Sequence, residues 1–268
     1  MDKEILTQLT RIATAIEHLA ATDEIETDIQ SGNAFRWDGR NLHAVAQLNA
    51  LPLARFAGVD TQIAALRRNI GALAQGLPAH DMLLWGVRGM GKSALVRSVA
   101  AELDVALVQA SADQLSSFPQ LFETLKTASR PFILFVDDLA FAPEDPEVRK
   151  LRSLLDGGVA ERPDNVRLAV TSNHRHLVAR PPADSRHARD SVDDQLALVD
   201  RFGMVLGFHA PDQDVWLDMV RRHLAPEGLE LDEADAIAFA LARGGRSGRT
   251  AWHYRTELLT RQAEAPEN

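Results

Sequence analysis

The stretch Met82-Leu83-Leu84-Trp85-Gly86-Val87-Arg88-Gly89-Met90-Gly91-Lys92-Ser93 decides how this chain is read. An apolar run leads into the spacing G-x-x-x-x-G-K-[ST], and an amphipathic stretch, Ala94 to Leu103, follows. The pattern is strand, glycine-rich turn, helix. Gly86, Gly89 and Gly91 let the backbone fold tightly and aim its N–H groups at one point, where an anion can sit at a helix N-terminus. Lys92 is placed to reach the β- and γ-phosphates of a nucleotide, and the Ser93 hydroxyl to ligate Mg²⁺. A turn that only packs is the alternative. The strand before and the helix after are the context that phosphate binding requires.

A second signal lies downstream in Phe132-Ile133-Leu134-Phe135-Val136-Asp137-Asp138. Five apolar residues in a row read as a fully buried parallel strand, with two carboxylates where it surfaces. In phosphate-loop enzymes a second metal-binding acid belongs here. Asp137 is expected to hold Mg²⁺ through water, and Asp138 to polarise the attacking water. Alone, the pair would serve equally as a turn-forming strand cap; Lys92 and Ser93 upstream tip the reading. A further strand, Val166 to Thr171, delivers Ser172-Asn173. Asn173 can hydrogen-bond a γ-phosphate or the lytic water, though its spacing suits a helix cap as well.

Composition sets the bounds. The 268 residues, 46% hydrophobic and 25% charged, suit one large core or a domain with a smaller one appended. No apolar run approaches the ~18 residues of a membrane span, and Met1-Asp2-Lys3-Glu4 does not read as an export signal. Zero cysteines exclude disulfides, thiolate metal sites and a cysteine nucleophile. A cytoplasmic location fits all of this. A formal charge of −9 disfavours broad duplex binding, which runs on cationic surface. Arg243, Arg246, Arg249, His253, Arg255 and Arg261 form a local basic stretch, read mainly as a solvated helix face.

Around these motifs the chain divides into three. Ile5, Leu9, Ile12, Ile16 and Leu19 predict an amphipathic helix, followed by a polar linker from Asp23 to Gly32. Leu42, Val45 and Leu48, three apart, suit a short helix, and the composition shift at Leu51-Pro52-Leu53 marks the start of the main domain. Residues 1–53 are thus read as a helical segment and linker, and 54–210 as an α/β nucleotide-binding domain. Residues 211–268 read as purely helical, with Asp212 and Asp232 as N-caps and Gly244-Gly245 as a stop. Ala179 to Asp194, rich in Pro, Arg and Asp, reads as a surface loop.

Alternating strands and helices predict a three-layer α/β domain with a parallel sheet. Followed by a helical lid, such a domain is similar to the AAA+ ATPases, which belong to the P-loop NTPases. In that resemblance Gly86 to Ser93, with Val87, Arg88, Met90 and the following Ala94, looks like Walker A, and Phe132 to Asp138 like Walker B. Phe56, Ala57 and Gly58 look like the segment that packs on adenine, and Asn173 like sensor 1. Arg201, in Asp200-Arg201-Phe202-Gly203, looks like the arginine finger that reaches a neighbouring subunit's ATP. Arg249 looks like sensor 2, with Arg246 as second choice. Leu84-Trp85-Gly86, Thr171-Ser172-Asn173, Arg175-His176-Leu177 and Arg246-Ser247-Gly248-Arg249 narrow the resemblance, over roughly Ala54 to Ala263. They resemble one bacterial AAA+ group defined only as a domain of unknown function.

The resemblance implies Mg²⁺-dependent hydrolysis of ATP, with Lys92, Asp138, Asn173 and Arg201 catalytic and Ser93 and Asp137 at the metal. It implies an oligomeric active form, such as a ring, acting on an unidentified protein client, and no membrane partner. Asp138 departs from the Glu usual at its position and is one methylene shorter. An ATP-dependent switch with little turnover, and a loader for nucleic-acid machinery, are the alternative readings.

Overall fold

The structure, a computed structural model, describes residues 28–141, 145–156, 162–174, 177 and 198–264. The expected N-terminal helix and the whole of the expected 179–194 loop lie outside the described residues. Seven strands form one sheet in the order β2-β1-β4-β5-β6-β3-β7. They are β1 (Ala34–Trp37), β2 (Leu42–Ala44), β3 (Met82–Gly86), β4 (Ala106–Ala110), β5 (Phe132–Val136), β6 (Val166–Ser172) and β7 (Met204–Phe208). All neighbouring pairs are parallel except the β1–β2 pair.

Alternation along the central strands sends side chains to two cores. Met82 and Leu84 of β3, with Ile133 and Phe135 of β5, pack on one face against α1 (Asp60–Ala74) and α2 (Lys92–Glu102). Leu83, Leu134 and Val136 pack on the other against α3 (Phe118–Lys126). Helix α4 (Pro146–Leu155) joins that second face through Leu151 and starts on Asp145, whose side chain accepts from Glu147 N–H. Both faces are covered, so β5 reads as one apolar run in the sequence.

Three helices complete the described chain: α5 (Gln213–Leu224), α6 (Glu233–Ala242) and α7 (Gly248–Glu264). Asp212 and Asp232 cap α5 and α6 as their sequence positions predict, accepting from Val215 N–H and from Ala234 and Asp235 N–H respectively. Trp216 and Tyr254, both fully buried, anchor this lid, and its apolar side is continuous with the first core. Among the described residues no helix is long and apolar enough to cross a membrane.

The short helix expected over Leu42 to Leu48 is not formed; Leu42–Ala44 is instead strand β2. Asp38 makes the turn that sends it back, its carboxylate accepting from Arg40 and Asn41 N–H at 2.8 and 2.7 Å, with Gly39 at φ +101°. The hairpin belongs to the sheet, upstream of the expected boundary at residue 53. Phe35 is buried against the Phe132 ring, and Trp37 Nε1 donates to Ser117 Oγ at 2.7 Å. Phe35→Ala is therefore expected to cost about 3–5 kcal/mol, the range for truncating a core aromatic. Urea denaturation checks this, and a loss below ~1 kcal/mol would mean that the hairpin folds apart from the core.

Candidate active site

The phosphate loop leaves β3 at the carboxyl end of the sheet, between β6 and β7. That is where open α/β sheets place their ligand crevice. Gly89 and Gly91 take φ +80° and +83°, conformations that side-chain-bearing residues rarely adopt, and α2 begins at once with Lys92. Val87 N–H donates to Phe208 O at 2.9 Å and ties the loop to β7.

Lys92 is 7% exposed, and its Nζ donates to Gly86 O at 2.7 Å, Val87 O at 3.1 Å and Asn173 Oδ1 at 3.2 Å. Burial pulls its pKa below the ordinary lysine value; Asp138 and Asp137 push it back up, and Arg249 adds to the lowering. Ser93 Oγ and Thr171 Oγ1 both donate to Asp137 Oδ1 at 2.5 Å. Asn173 Nδ2 donates to Asp138 Oδ1, so one amide joins the buried cation to the second acid.

Thr171 was not singled out from the sequence as a site residue, yet it organises both acids. Its hydroxyl donates to Asp137 and accepts from Asp138 N–H at 2.9 Å. Asp138 itself sits at φ +54°, in the left-handed region. Asp tolerates that region better than most side-chain-bearing residues. The shorter acid therefore has a backbone reason to stand where Glu is usual.

Phe56, Ala57, Arg88, Gly89, Met90, Gly91, Lys92, Ser93, Ala94, Asp137, Asp138, Asn173 and Arg249 line one cavity of about 480 Å³. Of the two lid arginines, Arg249 faces this cavity, and its N–H donates to Gly89 O at 3.0 Å. Arg246 donates to Gln213 Oε1 at 3.1 Å and is not in the lining. Gly58 lies beneath Val215 of α5 rather than in the lining, and Val87 is exposed and not in the lining either. Arg201 is outside its own chain's cavity, paired with Asp156 at 2.5 Å. The cavity also has a wall that sequence reasoning missed: Arg55, from the short 3₁₀ turn Leu53–Arg55 that forms the linker into α1, and Met219, His223 and Trp252 from the lid.

Whether Mg²⁺ fits can be judged from the donors. An alcohol and a carboxylate oxygen meet at Ser93 and Asp137, hard ligands of the kind Mg²⁺ takes. Among the described residues no cluster of three or more His, Asp or Glu could hold a metal unaided. An ion here would be shared with phosphate oxygens and water, as Mg²⁺ usually is.

Sheet order, phosphate loop, paired acids and a lid closing on the loop together define an AAA+ protein of the P-loop NTPase superfamily. The comparisons agree on the fold. The chain is similar to the Thermotoga maritima RuvB Holliday junction branch migration motor, with a TM-score of 0.55 at 19% identity over 79% of this chain and 66% of that one. A mutant form of that protein gives a TM-score of 0.56 at 19% identity, over 80% and 67%. The ATPase family gene 2 protein of Schizosaccharomyces pombe is 25% identical over 214 residues, 69% of this chain and 24% of that protein. The chain thus spans about a quarter of that relative's length. It belongs to the family described as "Protein of unknown function (DUF815)", whose model matches residues 30–262.

Two stability predictions follow from this geometry. Asp138→Asn should be close to neutral, and Asp138→Glu should cost about 1 kcal/mol through the left-handed backbone, both measured by urea denaturation. The second concerns pH. Burial, then Arg55 and Arg255, lower His223 from 6.5 to about 4, so the folded state resists a proton that the unfolded chain accepts. The stability from the neutral ring is present above about pH 6.5 and is lost as pH falls toward 4, a difference of about 3 kcal/mol. His223→Leu should flatten that segment of the pH–stability curve; an unchanged slope would show that His223 is not its source.

Proposed function

We propose that this protein binds ATP with Mg²⁺, hydrolyses it to ADP and phosphate, and couples the cycle to remodelling of a protein client. One observation carries the reading: Lys92, Ser93, Asp137, Asp138, Asn173 and Arg249 converge on one cavity from four separate segments. A bound Mg²⁺ would supply charge neutralisation and a template for the phosphates. Lys92 adds a fixed positive charge at the β- and γ-phosphates. Asp138, held by Asn173, accepts hydrogen bonds from the attacking water and aligns it, so the chemistry is positioning and electrostatics.

Arg201 is assigned to the neighbouring subunit's site in an oligomer. Its place just before β7, outside its own chain's cavity, supports that assignment, as does the similarity to a protein named as a motor. The nucleic-acid loader is disfavoured because the C-terminal arginines are largely engaged. Arg255 pairs with Glu227, Arg261 with Asp235 and Glu257, and Arg243 stacks on Phe239. A switch with slow turnover is the second reading, favoured by the short acid at position 138.

The test is ATP hydrolysis against protein concentration for the unsubstituted chain, Lys92→Ala and Arg201→Ala. Specific activity should rise with concentration, vanish in Lys92→Ala and fall by about 10³-fold or more in Arg201→Ala. Mixing the two variants should restore part of it, because one supplies an intact pocket and the other an intact arginine. Unchanged activity in Arg201→Ala at assembling concentrations would remove the shared site. ATP binding that needs Lys92 but gives no turnover would favour the switch.

A further inference from the structure

The first turn of α7 meets the phosphate loop backbone to backbone. Arg249 N–H donates to Gly89 O at 3.0 Å, and Gly248, the residue before it, also lines the cavity. A Cβ on Gly248 would stand 3.0 Å from that same carbonyl oxygen. A Cβ on Gly89 would stand 3.1 Å from Ser247 Oγ and 3.2 Å from Arg249 Cβ. Side-chain carbons rarely approach their neighbours so closely, so both sides of this contact suit a residue that has none. Gly89 has a second reason to be glycine, its φ of +80°. Gly248 lacks that reason: its φ is not positive, and it opens an α-helix, where alanine is the better helix former. What Gly248 provides is room for the loop carbonyl.

The same turn is fixed from the lid side. Ser247 Oγ accepts from Thr250 N–H at 3.1 Å, the contact of an N-cap, and meets Thr250 Oγ1 at 2.7 Å. Thr250 Oγ1 donates to Gly245 O at 3.0 Å. Ser247 O accepts from Nε1 of Trp216, the fully buried anchor on α5, at 3.1 Å. The start of α7 is therefore held to the lid core on one side and to the loop on the other. Arg249 stands at this junction. Its N–H is taken by the loop, and its charge is near enough to Lys92 to lower the pKa of that ammonium. Two cations held close repel each other, so the Arg249 side chain does not draw the lid down onto the loop. The backbone contact does.

We propose that Gly89 and Gly248 form a latch without side chains, which holds the start of α7 on the phosphate loop and sets where the Arg249 guanidinium stands. Gly248 is thus a positioning residue that acts through Arg249. The consequence for nucleotide recognition rests on ATP being the ligand; the latch itself does not. A change in the shape of the loop would move the Gly89 carbonyl, and the lid would follow through its backbone.

The experiment follows amide hydrogen exchange at residue 249 by NMR in the nucleotide-free chain, unsubstituted and as Gly248→Ala and Arg249→Ala. Affinities for ATP and ADP are measured for these three and for the double variant, with melting in parallel. Gly248→Ala should speed exchange at residue 249 about tenfold, by parting Arg249 N–H from Gly89 O. Arg249→Ala keeps that N–H and should leave it protected. Each single variant should weaken ATP about tenfold and ADP less than about twofold, because a cation beside Lys92 serves the terminal phosphate that ADP lacks. The double variant should lose no more than Arg249→Ala alone, since both changes remove the same contact. Gly248→Ala should not raise the Tm, although helix propensity alone favours alanine there. Unchanged exchange in Gly248→Ala, or a Tm raised as propensity predicts, overturns the latch. Faster exchange in Arg249→Ala overturns it too, because the side chain would then be what holds the lid. Losses that add in the double variant, or that fall equally on ATP and ADP, overturn the positioning role. If the unsubstituted chain binds neither nucleotide, or binding is indifferent to Lys92→Ala, the ATP reading fails, and the exchange rates still decide the latch.

Discussion

The ammonium of Lys92 is the group around which the rest of the site is arranged. A cation taken out of water costs several kcal/mol unless it is paired or fully hydrogen-bonded. Here the three N–H donors of Lys92 meet two carbonyls of its own loop and the side-chain oxygen of Asn173. The two carbonyls require the loop to curl back on itself, which is why left-handed residues stand at positions 89 and 91. The third partner, Asn173, follows directly on β6, so the loop is tied to the end of the neighbouring strand as well as to its own. Asn173 makes the longest of the three contacts and also holds Asp138, so the buried ammonium and the second acid are joined through one amide.

The acids after β5 show a second constraint. Two carboxylates at adjacent residues of an extended strand would point to opposite faces. Asp138 leaves the strand in a left-handed conformation, and Thr171 fastens that departure by accepting its N–H. The same hydroxyl donates to Asp137, so one side chain on β6 sets the relation of the two acids. Lengthening Asp138 by a methylene would change its reach and strain the backbone at once. A motif comparison treats the shorter acid as a departure; in this fold it agrees with the backbone it stands on.

Most of this architecture was legible in the sequence because the signals were redundant. The turn at 86–93 sat between a strand and a helix, the run at 132–136 was too apolar to be half-exposed, and Asp212 and Asp232 stood where caps belong. The hairpin at 34–44 was misread because Leu42, Val45 and Leu48 happen to fall at helical spacing. The Asp38-Gly39 pair ahead of them was the better signal, since it favours a tight turn. Thr171 was quoted only as part of a motif, because nothing in a strand sequence says which hydroxyl meets a carboxylate on the next strand. His223 and Arg55 were illegible for a related reason. They lie 168 positions apart, and neither belongs to a local pattern. Only the docking of the lid on the linker brings them to one wall.

That docking has an electrostatic logic of its own. Two helices begin at the phosphate loop: α2 at Lys92, and α7 at Gly248, where Arg249 N–H donates to Gly89 O. Helix N-termini carry partial positive charge, and here they converge with two full cations, Lys92 and Arg249. Among the described residues Asp137 and Asp138 are the only carboxylates in the lining, and they offset part of that concentration of charge. The lid is therefore pressed against a loop whose electrostatic demand is incompletely met by the protein. Farther along, Arg222 of α5 donates to Phe56 O at 2.5 Å, so the same lid also grips the segment that precedes α1. An anion bound at the loop would relieve the repulsion at that end of the lid.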